Sequence, residues 1–96
     1  RFDGEILGVE NENFEIKIYP NPTNDLIKVK SSYNPQNSLK FMLIDKIGRP
    51  LLIRESFDQN KIDEVIELNQ INSGLFILLV YDGNHLLSSK KVIINR

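Results

Sequence analysis

This 96-residue chain holds one histidine, His85, and no cysteine, and those two facts decide most of the chemistry open to it. A zinc centre takes about four nitrogen or sulfur ligands, and one imidazole does not supply them. His85 follows the turn signal Asp82-Gly83-Asn84 and is read as a solvent-exposed side chain. Without cysteine there are no disulfides, thiolate metal sites or thiol nucleophiles, and the compartment stays open. Asp25, Asp45 and Asp82 fall in turn sequences, where a carboxylate accepts from backbone donors. Loop oxygens also suit calcium, but no spaced Asp-x-Asp-x-Asp-Gly run is present. The chain has no Gly-x-Ser-x-Gly elbow, phosphate loop or paired-carboxylate spacing. Ser73-Gly74 precedes a strand rather than a helix. Tyr19, Tyr33 and Tyr81 are the aromatics with a polar handle, and with no Trp a sugar-stacking platform is poorly supplied. These residues predict no catalytic site, no metal and no cofactor: the chain reads as a non-enzyme.

Its partners are bounded in the same way. Lys and Arg total 12 against 13 Asp and Glu, for a net charge of -1. That balance argues against a nucleic-acid or anionic-membrane surface. No apolar run nears the roughly 18–20 residues of a membrane span, so no membrane insertion is expected. Beginning at Arg1, the chain reads as a piece of a larger protein.

The elements that would position any site are strands. Thirteen Ile, twelve Leu and five Val stand beside no Ala at all. Ala is the best helix former, whereas β-branched side chains favour strands. Residues 1–13 are acidic and contain Gly and Asn, and read as the tail of a linker, with the domain at 14–96. Phe14 to Tyr19 alternates, with Phe14, Ile16 and Ile18 on one face. Pro20-Asn21-Pro22-Thr23-Asn24-Asp25 is a turn. Leu26 to Ser31 alternates again. Ser31 to Ser38 is a polar loop, and Leu39 to Ile44 is a third strand. Asp45 to Arg49 is a hairpin connection with Gly48 at a positive φ. Pro50 opens a fourth strand running to Phe57, and Asp58-Gln59-Asn60 is a turn. Ile62 to Leu68 is a fifth strand. Leu75 to Tyr81 is almost wholly apolar and reads as a central strand buried on both sides. Gly83 turns the chain into a last strand, His85 to Ile94. Seven strands with turn signals every 8–12 residues predict an all-β, seven-stranded antiparallel immunoglobulin-like β-sandwich.

Four of these turns and strands carry a resemblance. Tyr19-Pro20-Asn21-Pro22-Thr23-Asn24-Asp25 before an alternating strand resembles the opening of the type A C-terminal sorting domain of the type IX secretion system of Bacteroidetes. Ile44-Asp45-Lys46-Ile47-Gly48-Arg49 matches the family's second motif, a strand, an Asp and a Gly-Arg turn. Ile71-Asn72-Ser73-Gly74-Leu75-Phe76 is similar to its Leu-x-x-Gly-x-Tyr block, with Ile for Leu and Phe for the commoner Tyr. Asp82-Gly83 and Lys90-Lys91-Val92-Ile93-Ile94 stand where it has a hairpin Gly and a terminal Lys-Lys-apolar strand. The likeness covers about four-fifths of the chain.

The resemblance implies a secretion signal covalently preceded by a cargo domain. The parent crosses the periplasm, docks on the type IX outer-membrane translocon and its shuttle protein, loses this domain to a sortase-like cysteine peptidase, and ends on the cell surface or outside the cell. It further implies that the terminal strand, Lys90, Lys91, Val92, Ile93 and Ile94, is the part that is read, through its outer edge or its last residues. Pro20, Asn21, Pro22, Asp45, Gly48, Gly74 and Gly83 are read as structural, with Gly74 at a positive φ or a point of close approach. The acidic lead-in is where a cut is expected. The alternative is an Ig-like adhesive or spacer module of a bacterial surface protein. A third class, a carbohydrate-binding accessory domain, lacks an aromatic platform.

Overall fold

The computed structural model describes residues 15–57 and 61–96. Phe14, the lead-in at 1–13 and the turn at 58–60 lie outside the described residues. Seven strands follow one another: β1 (Lys17–Tyr19), β2 (Leu26–Ser31), β3 (Leu39–Ile44), β4 (Pro50–Ser56), β5 (Ile62–Glu67), β6 (Gly74–Asp82) and β7 (His85–Ile94). No helix occurs among the described residues. Two antiparallel sheets form, ordered β1-β2-β5 and β4-β3-β6-β7.

Period-2 alternation explains both sheets. In β2, Ile27 and Val29 point inward and are fully buried, while Lys28 and Lys30 point out. In β3, Leu39, Phe41 and Leu43 point inward. They meet Phe76, Leu78 and Val80 of β6 and Val92 and Ile94 of β7 in one core shared by both sheets. Pro50 lacks a backbone donor and sits at the start of an edge strand, where that is tolerated.

Two strand expectations are corrected. The first strand is shorter than the alternation suggested: pairing with β2 begins at Lys17, although Ile16 is buried as expected. Strand β6 is central, between β3 and β7, but it is not buried on both sides. Its inner residues are buried, whereas Ile77 and Leu79 are half-buried and Leu75 is 47% exposed. Only two layers are present among the described residues, and none of these residues forms a third layer over the outer face.

Candidate functional site

The first three motifs and the terminal strand of the fourth, scattered along the sequence, converge on one end of the domain, while the Asp82-Gly83 turn lies at the other. Antiparallel pairing places the end of β1, the start of β2, the end of β3 and the start of β4 together there. Gly74 at the start of β6 stands opposite Ile94 at the end of β7, and Ile44 stands opposite Ile77 and Pro50. A parallel bridge between Thr23 and Ile94 ties the two sheets at this end.

The two prolines interrupt one ladder, and the residues beside them begin another. Asn21 Nδ2 donates to the Lys91 carbonyl at 2.7 Å, and Asn21 Oδ1 accepts from the Ile93 N–H at 3.0 Å. The side-chain amide thus mimics a strand residue where the neighbouring Pro20 and Pro22 have no N–H. Thr23 continues the pairing: its N–H donates to the Ile93 carbonyl at 2.9 Å, and its carbonyl accepts from the Asn95 N–H at 2.7 Å. Thr23 is itself buried, and its hydroxyl donates to the Leu26 carbonyl. Along Lys91 to Asn95, the outer edge of the terminal strand is therefore taken up by Asn21 and Thr23.

Arg96 closes the same end from the other side. Its guanidinium donates to the carbonyls of Asn24 at 3.0 Å, of Ile71 at 2.7 Å and of Leu68. Its backbone N–H donates to Ser73 Oγ at 3.1 Å. One planar fork thus holds the β5–β6 connection against the first turn.

In the β3–β4 hairpin, Asp45 Oδ1 accepts from the N–H groups of Ile47 and Arg49, and Oδ2 accepts from Arg49 Nε at 2.8 Å. The Arg49 N–H, against a smaller opposing effect of desolvation, and then the Arg49 guanidinium hold this carboxyl below the usual carboxylate range. Gly48 has φ 91° in this turn, as its position predicted. Gly74 meets both of its expected conditions. Its φ of 158° is positive, a region that side chains rarely adopt, and a Cβ there would lie 3.2 Å from the Phe76 ring. Backbone conformation and close approach together require the glycine.

Between the hairpin and the β5–β6 connection lies an open groove of about 550 Å³, lined by Lys46, Ile47, Arg49, Gln70, Asn72 and Leu75 among others. Beside it, Lys46, Leu75, Ile77, Ser89 and Lys91 line a cleft of about 170 Å³ on the outer face of β6 and β7. The two adjacent lysines of the last strand differ in what they pair with. Lys91 pairs with Ile77 and lines this cleft; Lys90 pairs with the inward-facing Leu78 and lines a groove with Glu15, Ile16 and Tyr33 on the β1 side, and both border a further groove there beside Lys17 and Tyr19. Val92 and Ile94 are core, and Ile93 is 38% exposed.

The opposite end is structural. Asp82 is 3% exposed and accepts from Tyr33 Oη at 2.6 Å, the Gln36 N–H at 3.0 Å and the Asn37 N–H at 2.8 Å. Burial pushes its carboxyl up, but the donors from Gln36, Tyr33 and Asn37 outweigh this and hold it below its ordinary value. The same hydrogen bond, with burial and the Asp82 charge, pushes the Tyr33 phenol up to about 12. Gly83, φ 61°, turns the chain beside Asn37. Tyr33 and Asp82 are 49 positions apart, and no periodicity marks them as partners. His85 is exposed. Among the described residues no three His, Cys, Asp or Glu side chains gather as a metal site.

A model of the secretion system C-terminal sorting domain matches residues 17–95. The chain belongs to this family. No curated protein and no solved structure matches the chain significantly. This sorting domain is the C-terminal sorting signal of type IX secretion, and its family is one of secretion signals rather than of enzymes. It marks a secreted protein that reaches the cell surface or the outside, and it implies a preceding cargo and the type IX machinery. The adhesive or spacer alternative finds no support in that match.

Proposed function

We propose that the sorting domain, residues 14–96, is an immunoglobulin-like sandwich presented in the periplasm to the type IX outer-membrane translocon and its shuttle protein. A sortase-like cysteine peptidase then removes it by a cut in the lead-in at 1–13. The observation that carries this reading is the family match over residues 17–95. Strand order supports the fold: strands one, two and five share one sheet, and three, six and seven share the other, as in immunoglobulin-like sandwiches. The fourth strand joins the second sheet. The terminal strand, Lys90, Lys91, Val92, Ile93 and Ile94, is the segment that is read. Val92 and Ile94 anchor it in the core, while Lys90, Lys91 and Ile93 reach solvent. The exposed side chains carry the recognition, since Asn21 and Thr23 occupy the edge beside them.

A reporter fused ahead of residues 1–96 in a type IX-competent host tests this. The intact chain exports the reporter, and Lys90→Ala with Lys91→Ala lowers export while the purified domain melts as before. Deletion of residues 92–96 abolishes export. Normal export after the deletion excludes the terminal strand as the signal, and no export with the intact chain excludes the whole reading.

A further inference from the structure

The two sheets meet water in opposite ways. On the β1-β2-β5 sheet the outer face carries Lys17, Lys28 and Lys30, with Asp63 opposite Lys30 and Glu67 opposite Leu26. This is the alternation of a sheet with one wet face. The outer face of the β4-β3-β6-β7 sheet is apolar through its middle, with Lys40 opposite Glu55 toward one end and Ser89 and Lys91 on the last strand. Ile53 stands beside Met42 and Met42 beside Leu79; Ile44 stands beside Ile77; Leu75 stands beside Ile93. Ile53 is 54% exposed and Leu51 43%. A contiguous apolar face of this kind marks an interaction surface.

Charge and shape choose the occupant. The face runs into the groove at the motif end, where Ile47 is exposed and Gln70 and Asn72 offer amides. Lys46 and Lys91 border the cleft over Leu75 and Ile77, and neither has an ion-pair partner among the described residues. The acidic side chain in the groove, Asp45, is already spent on Arg49. The border is therefore cationic and the floor apolar. A second copy brings a like-charged border against this one and is disfavoured. An anionic bilayer is disfavoured by the overall net charge of -1 and by the lack of any Trp to insert at a lipid interface.

We propose that this outer face, from the groove at Lys46 and Leu75 to Ile77 and Lys91, docks a protein segment of the secretion machinery that presents apolar side chains flanked by carboxylates. The proposal rests on the reading of the chain as a sorting signal. It places recognition on the hairpin and β6 as well as on the terminal strand, and it separates Lys91, which faces the cleft, from Lys90, which does not.

The test uses residues outside the terminal strand, so that its failure is distinct from failure of the sorting reading. The full chain is fused behind a reporter in a type IX-competent host, with Lys46→Glu plus Leu75→Gln as the variant. Lys17→Glu plus Lys28→Gln, on the other sheet, is the control. The expected result is at least a tenfold loss of exported reporter for the first pair, and less than a twofold change for the second, with both melting as the parent does. Leu75→Gln alone serves as a second variant should the pair melt early. Parental export from the Lys46 and Leu75 variants overturns the docking face and leaves the sorting reading standing. No export from the parent overturns both. The purified chain is also mixed with phosphatidylglycerol vesicles and sedimented alone over a concentration series. Vesicle binding or dimerisation that the Lys46→Glu plus Leu75→Gln pair abolishes would assign the face to lipid or to a second copy and overturn the protein partner.

Discussion

Asn21 and Lys91 lie 70 positions apart, and the Asn21 side-chain amide joins them by donating to the Lys91 carbonyl at 2.7 Å. With the return bond from the Ile93 N–H, one side chain splices the first turn onto the terminal strand. Asn21→Ala removes both bonds at a partly wet site and is expected to cost about 1 kcal/mol, a fall of roughly 4–8 °C in melting temperature for a domain this size. Asn21→Asp keeps the acceptor for Ile93 but sets a carboxylate against the Lys91 carbonyl, so it should recover little. Thermal melts of the two variants beside the parent decide this, and parental melting of Asn21→Ala would show the splice to be idle.

Asp82 is the second test, through pH. Its carboxyl is held below its ordinary value near ~4. The contribution to stability is therefore present above the unfolded value and lost as pH falls through the lower folded one. Asp82→Ala leaves Tyr33, Gln36 and Asn37 without their acceptor and should cost about 2–4 kcal/mol at neutral pH. The gap between parent and variant should narrow as pH drops below ~4. Urea midpoints across that range measure it, and a constant gap would contradict the assignment.

Tyr33 titrates at the other extreme. Its phenol is pushed up to about 12 by the hydrogen bond to Asp82. A raised folded value means stability that is complete below the unfolded value near ~10 and lost as pH rises to about 12. Phenolate absorbance should show a step near the raised Tyr33 value of about 12, and Tyr33→Phe should remove that step.

Gly74 and Gly48 should respond differently to alanine. At Gly74 the new methyl meets the Phe76 ring at 3.2 Å, and Phe76 is 8% exposed with little room to yield. The expected cost is about 1–3 kcal/mol, relieved only in part by Phe76→Leu in the same chain, because the positive φ of 158° remains. At Gly48 a Cβ meets nothing within 4 Å, so only the positive φ opposes it, at roughly 1–2 kcal/mol. Phe76→Leu does not relieve Gly48→Ala. Equal rescue at both sites would show that the Phe76 contact is not what Gly74 serves.

Arg96 supplies the last test. Arg96→Ala leaves the carbonyls of Leu68, Ile71 and Asn24 to water, and the 69–73 connection loses its clamp. Hydrogen exchange at the Ile71 amide, bonded to the Leu68 carbonyl at 3.0 Å, should speed up. Arg96→Lys should restore only part of the protection, because an ammonium is a point donor and not a planar fork. Unchanged exchange in Arg96→Ala would remove the clamp.

Local rules were enough to read the strands and turns from sequence. Alternation in Leu26 to Ser31 and the bounds of Leu39 to Ile44 and His85 to Ile94 follow from side chains pointing to opposite faces. Gly48 and Gly83 follow from turns that need a positive φ. The four motifs in order also sufficed to name the family. Tertiary structure alone decided what those pieces meet. Strand order brings Asn21 to Lys91, Arg96 to Leu68 and Tyr33 to Asp82, and no spacing along the chain encodes such distant pairs. The almost wholly apolar run Leu75 to Tyr81 reads as a strand buried on both sides because period 2 reports which residues share a face, not whether a second layer covers that face. The fold covers one side of it and leaves Leu75, Ile77 and Leu79 on the other, and that face became legible only once both sheets were in place.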